Sequence, residues 1–189
     1  MLRVLNLGNT RKDLQEKLVS KWTILPALFY ILGLIFGIAT HKGPTSHLYC
    51  RKANAIMILE ANTSIFMAIF ISGIISYGFL SYLILFAQGV NHGYTIAGSG
   101  LSRLLAGVVP HGIPEISSFI LSSDISRRMS GVLLKRLISR GGEKHYGSGT
   151  DHWEIELSVR LLIMAYSLLL LACCIETFIT PGVLGCSSS

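Results

Sequence analysis

The 189 residues are 51% apolar and only 14% charged, with a mean hydropathy of +0.57. Soluble domains carry about a quarter charged residues, so composition argues against an ordinary water-soluble domain and for lipid as solvent. The net charge of +6 does not mark a nucleic-acid binder, because the sixteen Lys and Arg flank apolar runs and are not interleaved with aromatics.

Residues 1–21 hold Arg3, Arg11, Lys12, Lys17 and Lys21. Thr10 and Asp13 have capping-box spacing, and Leu14, Leu18 and Trp22 follow at i, i+4 and i+8. A short cytoplasmic amphipathic helix is expected, on the membrane surface or solvated. The first apolar run, 22–40, has no charged residue. At ~1.5 Å per residue it just crosses a ~30 Å hydrocarbon core. It is long for a signal sequence and lacks a small-residue cleavage site, so an uncleaved first span is expected. Gly33 and Gly37 make a G-x-x-x-G pair, which suits close helix approach.

Residues 41–61 form a loop opened by Lys42-Gly43-Pro44. Its His41, His47 and Cys50 match no standard zinc spacing, and neither a metal site nor a cofactor is expected. Residues 61–102 contain no Asp, Glu, Lys or Arg. They predict a second span over 63–87 with Gly73 and Gly78 as packing notches. A turn at 88–93 (Gln88-Gly89-Val90-Asn91-His92-Gly93) and a helix over 94–109 carrying Arg103 follow.

Pro110-His111-Gly112-Ile113-Pro114-Glu115 comes next. Two prolines four apart with a glycine between predict a break, with Pro114 opening a short helix over 114–125. The centre of the chain therefore reads as a Pro/Gly-broken helical hairpin, spanning or re-entrant. Residues 124–157 are a basic loop with Arg127, Arg128, Lys135, Arg136, Arg140 and Lys144, and Leu133, Leu134, Leu137 and Ile138 give it an amphipathic segment. A last span is expected over 159–179. It carries Cys173 and Cys174 as plain core residues and Glu176 near its end, before Thr180-Pro181-Gly182 and an extracytoplasmic tail over 183–189. The fold class is thus all-α, a polytopic transmembrane helical bundle of about five membrane segments, with one domain over 22–182.

Sidedness follows from charge. Segments 1–21 and 124–157 hold eleven Lys and Arg, the first loop three and the tail none. The positive-inside rule places the N-terminus in the cytoplasm and the C-terminus outside, in the plasma membrane. Cys50 and Cys186 both fall outside, where a disulfide is allowed.

Ionisable side chains in a membrane are costly, ~2.5–3.5 kcal/mol at a helix centre on insertion scales. Asn62, Arg103, His111, Glu115 and Glu176 are therefore the candidate polar intramembrane cluster: Asn62, His111, Glu115 and Glu176 are expected at the outer ends of the helices, Arg103 is expected mid-helix and paired with a carboxylate, and Pro110, Gly112, Pro114 and Pro181 are the breaks that shape it. Glu115 suits a helix N-terminus and His111 a helix C-terminus. Either they only stitch the break together, or they build an ion, proton or partner site as discontinuous helices do. No nucleophile–His–carboxylate set, G-x-S-x-G or H-E-x-x-H occurs, so no enzyme is expected.

Three stretches resemble the stage II sporulation protein M family. They are Glu60-Ala61-Asn62 with Gly73 and the Gln88-Gly89…Gly93 segment, the Pro110-His111-Gly112-Ile113-Pro114-Glu115 motif, and Ala172-Cys173-Cys174-Ile175-Glu176-Thr177-Phe178-Ile179-Thr180-Pro181. The likeness covers about residues 22–182. It implies a multi-span plasma-membrane protein. In spore formers the named member works with a peptidoglycan hydrolase and a second membrane-anchored wall enzyme, recruiting or holding that complex. The resemblance also extends to bacteria and archaea that form no spores. The expected function is a scaffold for other membrane or envelope proteins. The alternative is a small ion, proton or solute transporter using the His/Glu cluster. A homodimer through the glycine faces is a further expectation.

Overall fold

The computed structural model describes residues 23–42, 54–98, 105, 108–139 and 148–180. These hold five α-helices and no strand: α1 (Ile24–Thr40), α2 (Ala55–Ser76), α3 (Phe79–Ala97), α4 (Val109–Ser139) and α5 (Ser148–Cys174), with a π-helical turn over Ile175–Ile179. The expected N-terminal helix, Cys50, Cys186, Arg103 and Pro181 lie outside the described residues.

The helices alternate in direction. Thr23, the Tyr77-Gly78 link and Asp124 share one end, here the near end; Thr23 donates to Asp124 Oδ2 at 3.3 Å. Thr40, Asn54, Ala97, Val109 and Thr180 lie toward the far end. Parallel α1 and α3 pack along their length, and α4 packs against both α2 and α5. Phe66 and Ile69 of α2, Leu85 of α3, Phe119 and Ile125 of α4, and Leu157, Leu161, Ala165 and Leu169 of α5 form one buried core.

The α1–α3 contact is built on glycines of both helices. A Cβ at Gly33 would run into the Phe86 carbonyl, and one at Gly37 into the Val90 carbonyl. In return, Gly89 faces the Tyr30 carbonyl and Gly93 the Leu34 carbonyl. Two G-x-x-x-G faces therefore interlock, backbone against backbone, as small-residue faces allow. This corrects the expected turn at 88–93, which lies inside α3: its glycines are flat places for α1 and not points of reversal. The glycine face of α1 is covered within the chain, so a homodimer would need another surface.

The actual reversal is two residues long. Tyr77 (φ 60°) and Gly78 (φ 93°) are left-handed, and the Gly78 amide donates to the Gly73 carbonyl at 2.8 Å. This closes α2 with a Schellman-type cap. Ser76 Oγ then accepts from the Leu80 amide at 2.9 Å and so opens α3. The expected span over 63–87 is thus divided between two helices, and Gly78 is a break, not a notch. Gly73 does act as a notch, taking Ser126 of α4. At the other end of α2, Asn54 Oδ1 accepts from the Ile56 amide at 3.0 Å, an N-cap.

The predicted break at 110–114 is absent. Of the helix expected over 94–109, residues 94–97 close α3 and Val109 opens α4, which runs unbroken for 31 residues with Pro114 inside it; most of the stretch between lies outside the described residues. Pro110 is the second residue of α4, directly after π-helical Val108, and does not interrupt the helix. Pro114, four residues on, removes only the bond to the Pro110 carbonyl. Gly112 has no positive φ, and a Cβ there would meet nothing within 4 Å. The helix also continues through the charges expected to end it. Buried Asp124 (2% exposed) pairs with Arg127 at 3.6 Å and Arg128 at 2.9 Å, i+3 and i+4 on the same helix. The segment 124–157 is therefore largely helix, and α5 begins at Ser148, ahead of the expected 159.

Two helices, Ala55–Ser76 and Trp153–Ile179, are long and apolar enough to cross a membrane; Ile24–Thr40 is apolar but shorter. Ile24, Ile31, Leu32 and Ile35 of α1, Met57, Ile71 and Ile75 of α2, and Ile163, Met164 and Leu171 of α5 are exposed. So much outward apolar surface is a contact surface for lipid or protein, and with the two long apolar helices it points to membrane association. Lengths differ in a consequential way. At ~1.5 Å per residue α1 to α3 are about 25–33 Å long and α4 is about 46 Å. Beyond Asp124, α4 therefore continues ~20 Å past the near end, accompanied by the start of α5. Leu133, Leu134, Lys135, Arg136 and Leu137 are exposed on this projection, as is Trp153.

Candidate functional site

Every helix sends a polar side chain to one region on the far-end side of the core. From α1 comes Tyr30, whose hydroxyl lies 2.8 Å from Nδ1 of His92 on α3. Their rings also meet edge to face at 5.8 Å. The interlocked glycines hold this pair, since Tyr30 and His92 neighbour the contacts at Gly89 and Gly93. From α2 comes Asn62, buried, with Nδ2 donating to Cys173 Sγ at 3.7 Å. From α4 come His111 and Glu115, one turn apart on the same face. From α5 and its π-helical turn come Cys173, Glu176 and Thr180, with Thr180 Oγ1 lying 3.4 Å from His111 Nδ1.

The charges in this region feel one another. Glu115 is within electrostatic reach of Glu176 and of the Tyr30 hydroxyl, and His92 of His111. Glu115 is 7% exposed, and among the described residues no hydrogen bond or ion pair reaches its carboxyl. The π-helical turn carrying Glu176 widens the helix by one residue at this level, and such turns recur at functional sites. The Thr63 and Thr177 hydroxyls nearby are buried without hydrogen-bond partners.

Of the residues singled out in the sequence, Asn62, His111, Glu115 and Glu176 come together here. Pro110, Gly112 and Pro114 lie in the opening turns of α4 and shape no break. Cys173 faces the site, whereas Cys174 is exposed, so only the first is a core residue. Sequence reasoning missed Tyr30 and His92. His92 was the available signal, a histidine in a stretch without charges, but it was assigned to a turn. Among the described residues no three His, Cys, Asp or Glu side chains are placed to hold a metal ion.

A second polar group marks the near end. Around the Asp124–Arg127–Arg128 ion pairs stand Thr23 and the Ser81–Ser123 pair, whose hydroxyls are 2.7 Å apart. Along α4, Ser118 and Ser122 stand between the two groups and Ser126 lies level with the second, all fully buried.

No curated protein and no solved structure matches this chain. The sequence model of a family described as stage II sporulation protein M does match, over residues 26–181. The match takes in all five helices, the His111–Glu115 motif and the closing Glu176 segment, and this chain belongs to the stage II sporulation protein M family.

Proposed function

We propose that this protein is a membrane-integral scaffold that holds cell-envelope remodelling proteins at the plasma membrane and catalyses no reaction itself. The observation that carries the reading is the projection of α4 and α5 beyond the other three helices. Its exposed Leu133, Leu134, Leu137 and Trp153 stand where a bilayer matched to α1–α3 has ended, so a partner protein suits them better than lipid does. In this reading all five helices cross the bilayer. The near end, with Arg127, Arg128, Lys135 and Arg136, faces the cytoplasm, and the far end faces the envelope.

The test is affinity purification from native membranes, with the eluate assayed for peptidoglycan hydrolase activity on a wall-substrate gel. Hydrolase should co-purify with the wild type. Leu137→Glu, on an exposed position, should reduce whatever is held from the cytoplasmic side without lowering protein yield. An eluate without wall-cleaving activity refutes the envelope role.

A second reading, a small ion, proton or solute pathway, is favoured by one observation: Glu115 is buried without a bonded partner between helices that all contribute polar groups. Intramembrane carboxyls in such settings mark ion paths.

A further inference from the structure

Two contacts set how the helices face one another at the far end. α4 and α5 run in opposite directions, and His111 Nδ1 lies 3.4 Å from Thr180 Oγ1. One turn further in along each helix stand Glu115 and Glu176. Residues four apart share a helix face, so the two carboxyls stand across the α4–α5 contact from each other. Another turn in, Cys173 of α5 accepts from Asn62 of α2 at 3.7 Å, which closes the inner side. Tyr30 of α1 is within electrostatic reach of Glu115. Four helices thus surround the Glu115 carboxyl.

Charge in this enclosure is out of balance. Glu115 is 7% exposed and Glu176 half-buried. Among the described residues no hydrogen bond reaches the Glu115 carboxyl, and neither glutamate has an ion pair. Two carboxylates at close range repel strongly where water is excluded, and a buried charge without its opposite is costly. Glu176 adds to the imbalance. It lies where α5 ends in its π-helical turn, and a helix C-terminus disfavours a carboxylate and favours a cation. The hydroxyls of Thr63 and Thr177, next in sequence to Asn62 and Glu176, are buried with no partner among the described residues. Carboxyl and hydroxyl oxygens in want of a partner suit a hard cation.

We propose that Glu115 and Glu176 together hold one monovalent metal cation, with sodium as the probe. The proposal rests on the second reading above and names the ion at its buried carboxyl. The cation sits between the two carboxyls and cancels their repulsion. Its charge follows from the donors. Calcium takes about six to eight oxygens and magnesium keeps several waters, more than one buried carboxyl, one half-buried carboxyl and two hydroxyls supply. A transition metal is disfavoured, because no three His, Cys, Asp or Glu side chains gather here among the described residues. In membranes, helix C-terminal ends coordinate sodium, and the π-helical turn over Ile175–Ile179 presents such an end at Glu176.

The test uses the full-length protein in detergent at mildly alkaline pH, melted in sodium chloride or choline chloride at equal ionic strength. Sodium should raise the apparent Tm by several degrees and saturate, as a ligand of the folded state does. Glu115→Gln should abolish that rise and, with one of the two repelling charges gone, melt above the wild type in choline. Glu176→Gln should weaken the sodium response, and Ser167→Ala on the outer face of α5 should keep it. A wild-type melt equal in sodium and choline overturns the proposal, as does a full sodium response in Glu115→Gln. A rise with micromolar calcium but not with sodium overturns the charge assigned to the ion. A melt that follows pH across the neutral range and ignores sodium means that the two carboxyls share a proton instead. If sodium acts only after Arg103→Gln, the chain's own arginine fills the place and the site fails. Uptake of radioactive sodium by vesicles separates site from pathway. Saturable stabilisation without uptake keeps the site and removes the pathway reading, whereas uptake untouched by Glu115→Gln removes the site and keeps the pathway.

Discussion

Substituting Gly89 by alanine tests the backbone-to-backbone contact of α1 with α3. A Cβ there would lie 2.9 Å from the Leu34 amide nitrogen and 3.1 Å from the Tyr30 carbonyl carbon, and nearer still to the Tyr30 oxygen. These atoms are backbone and cannot rotate away, so α1 and α3 must part by about 1 Å to reach ordinary contact distance. Overpacking of this kind costs about 1–3 kcal/mol. The parting also stretches the 2.8 Å Tyr30–His92 bond one turn away, a further loss of about 1 kcal/mol. Alanine's higher helix propensity offsets about 1 kcal/mol. The net expectation is destabilisation by about 1–3 kcal/mol, or a fall in apparent Tm of roughly 3–10 °C for a chain of this size. The assay is thermal unfolding in detergent, followed by intrinsic fluorescence. Gly112→Ala is the control, because a Cβ there meets nothing within 4 Å; it should match the wild type or melt slightly higher. A Gly89→Ala protein that melts at or above the wild type would refute the interlocked-glycine contact.

Asp124→Asn removes the carboxylate shared by Arg127, Arg128 and Thr23 in a nearly buried setting, and should cost about 3 kcal/mol in the same melt; a loss under half of that makes the ion pairs ornamental. Gly78→Ala places a side chain at φ 93° and should destabilise by about 1 kcal/mol or more, whereas an unchanged melt would mean that the α2–α3 link relaxes freely. Tyr30→Phe keeps the ring and loses only the bond to His92, so about 1 kcal/mol should go, and an unchanged Tm would mean that this bond is not formed. For sidedness, in a cysteine-free background, a membrane-impermeant maleimide on intact cells should label Lys42→Cys and spare Lys135→Cys; the reverse pattern overturns the orientation proposed above.

The all-helical class was legible because hydropathy and charge report it directly. The family likeness was legible because the His111–Glu115 motif and the Glu176 segment are short and local. Helix boundaries were not. Gly89 and Gly93 look like turn residues because a turn and a close helix crossing both require the missing Cβ, and only the partner helix tells them apart. Conversely, Tyr77-Gly78 carries a single glycine in an apolar run, too slight a signal for a reversal. Pro110 and Pro114 were given the weight of helix breakers, yet α4 runs on through both. Arg127 and Arg128 looked like the end of a membrane helix, but Asp124 three and four residues before them lets the helix continue. Tyr30 and His92 join the candidate site through a tertiary contact that no local pattern encodes.

The pairing of α1 with α3 across the intervening α2 has a consequence for how the chain is made. During synthesis α1 emerges first, with its glycine groove bare and Tyr30 without its histidine. Neither can be covered until α2 has been threaded in the opposite direction and α3 has followed. In the membrane-spanning arrangement proposed above, the first helix must therefore wait, held by the insertion machinery or by surrounding lipid, and the α1–α3 lock can close only after the Tyr77-Gly78 reversal has formed. A substitution at Gly78 would then appear first as poor yield of folded protein, before any loss of stability in the finished molecule.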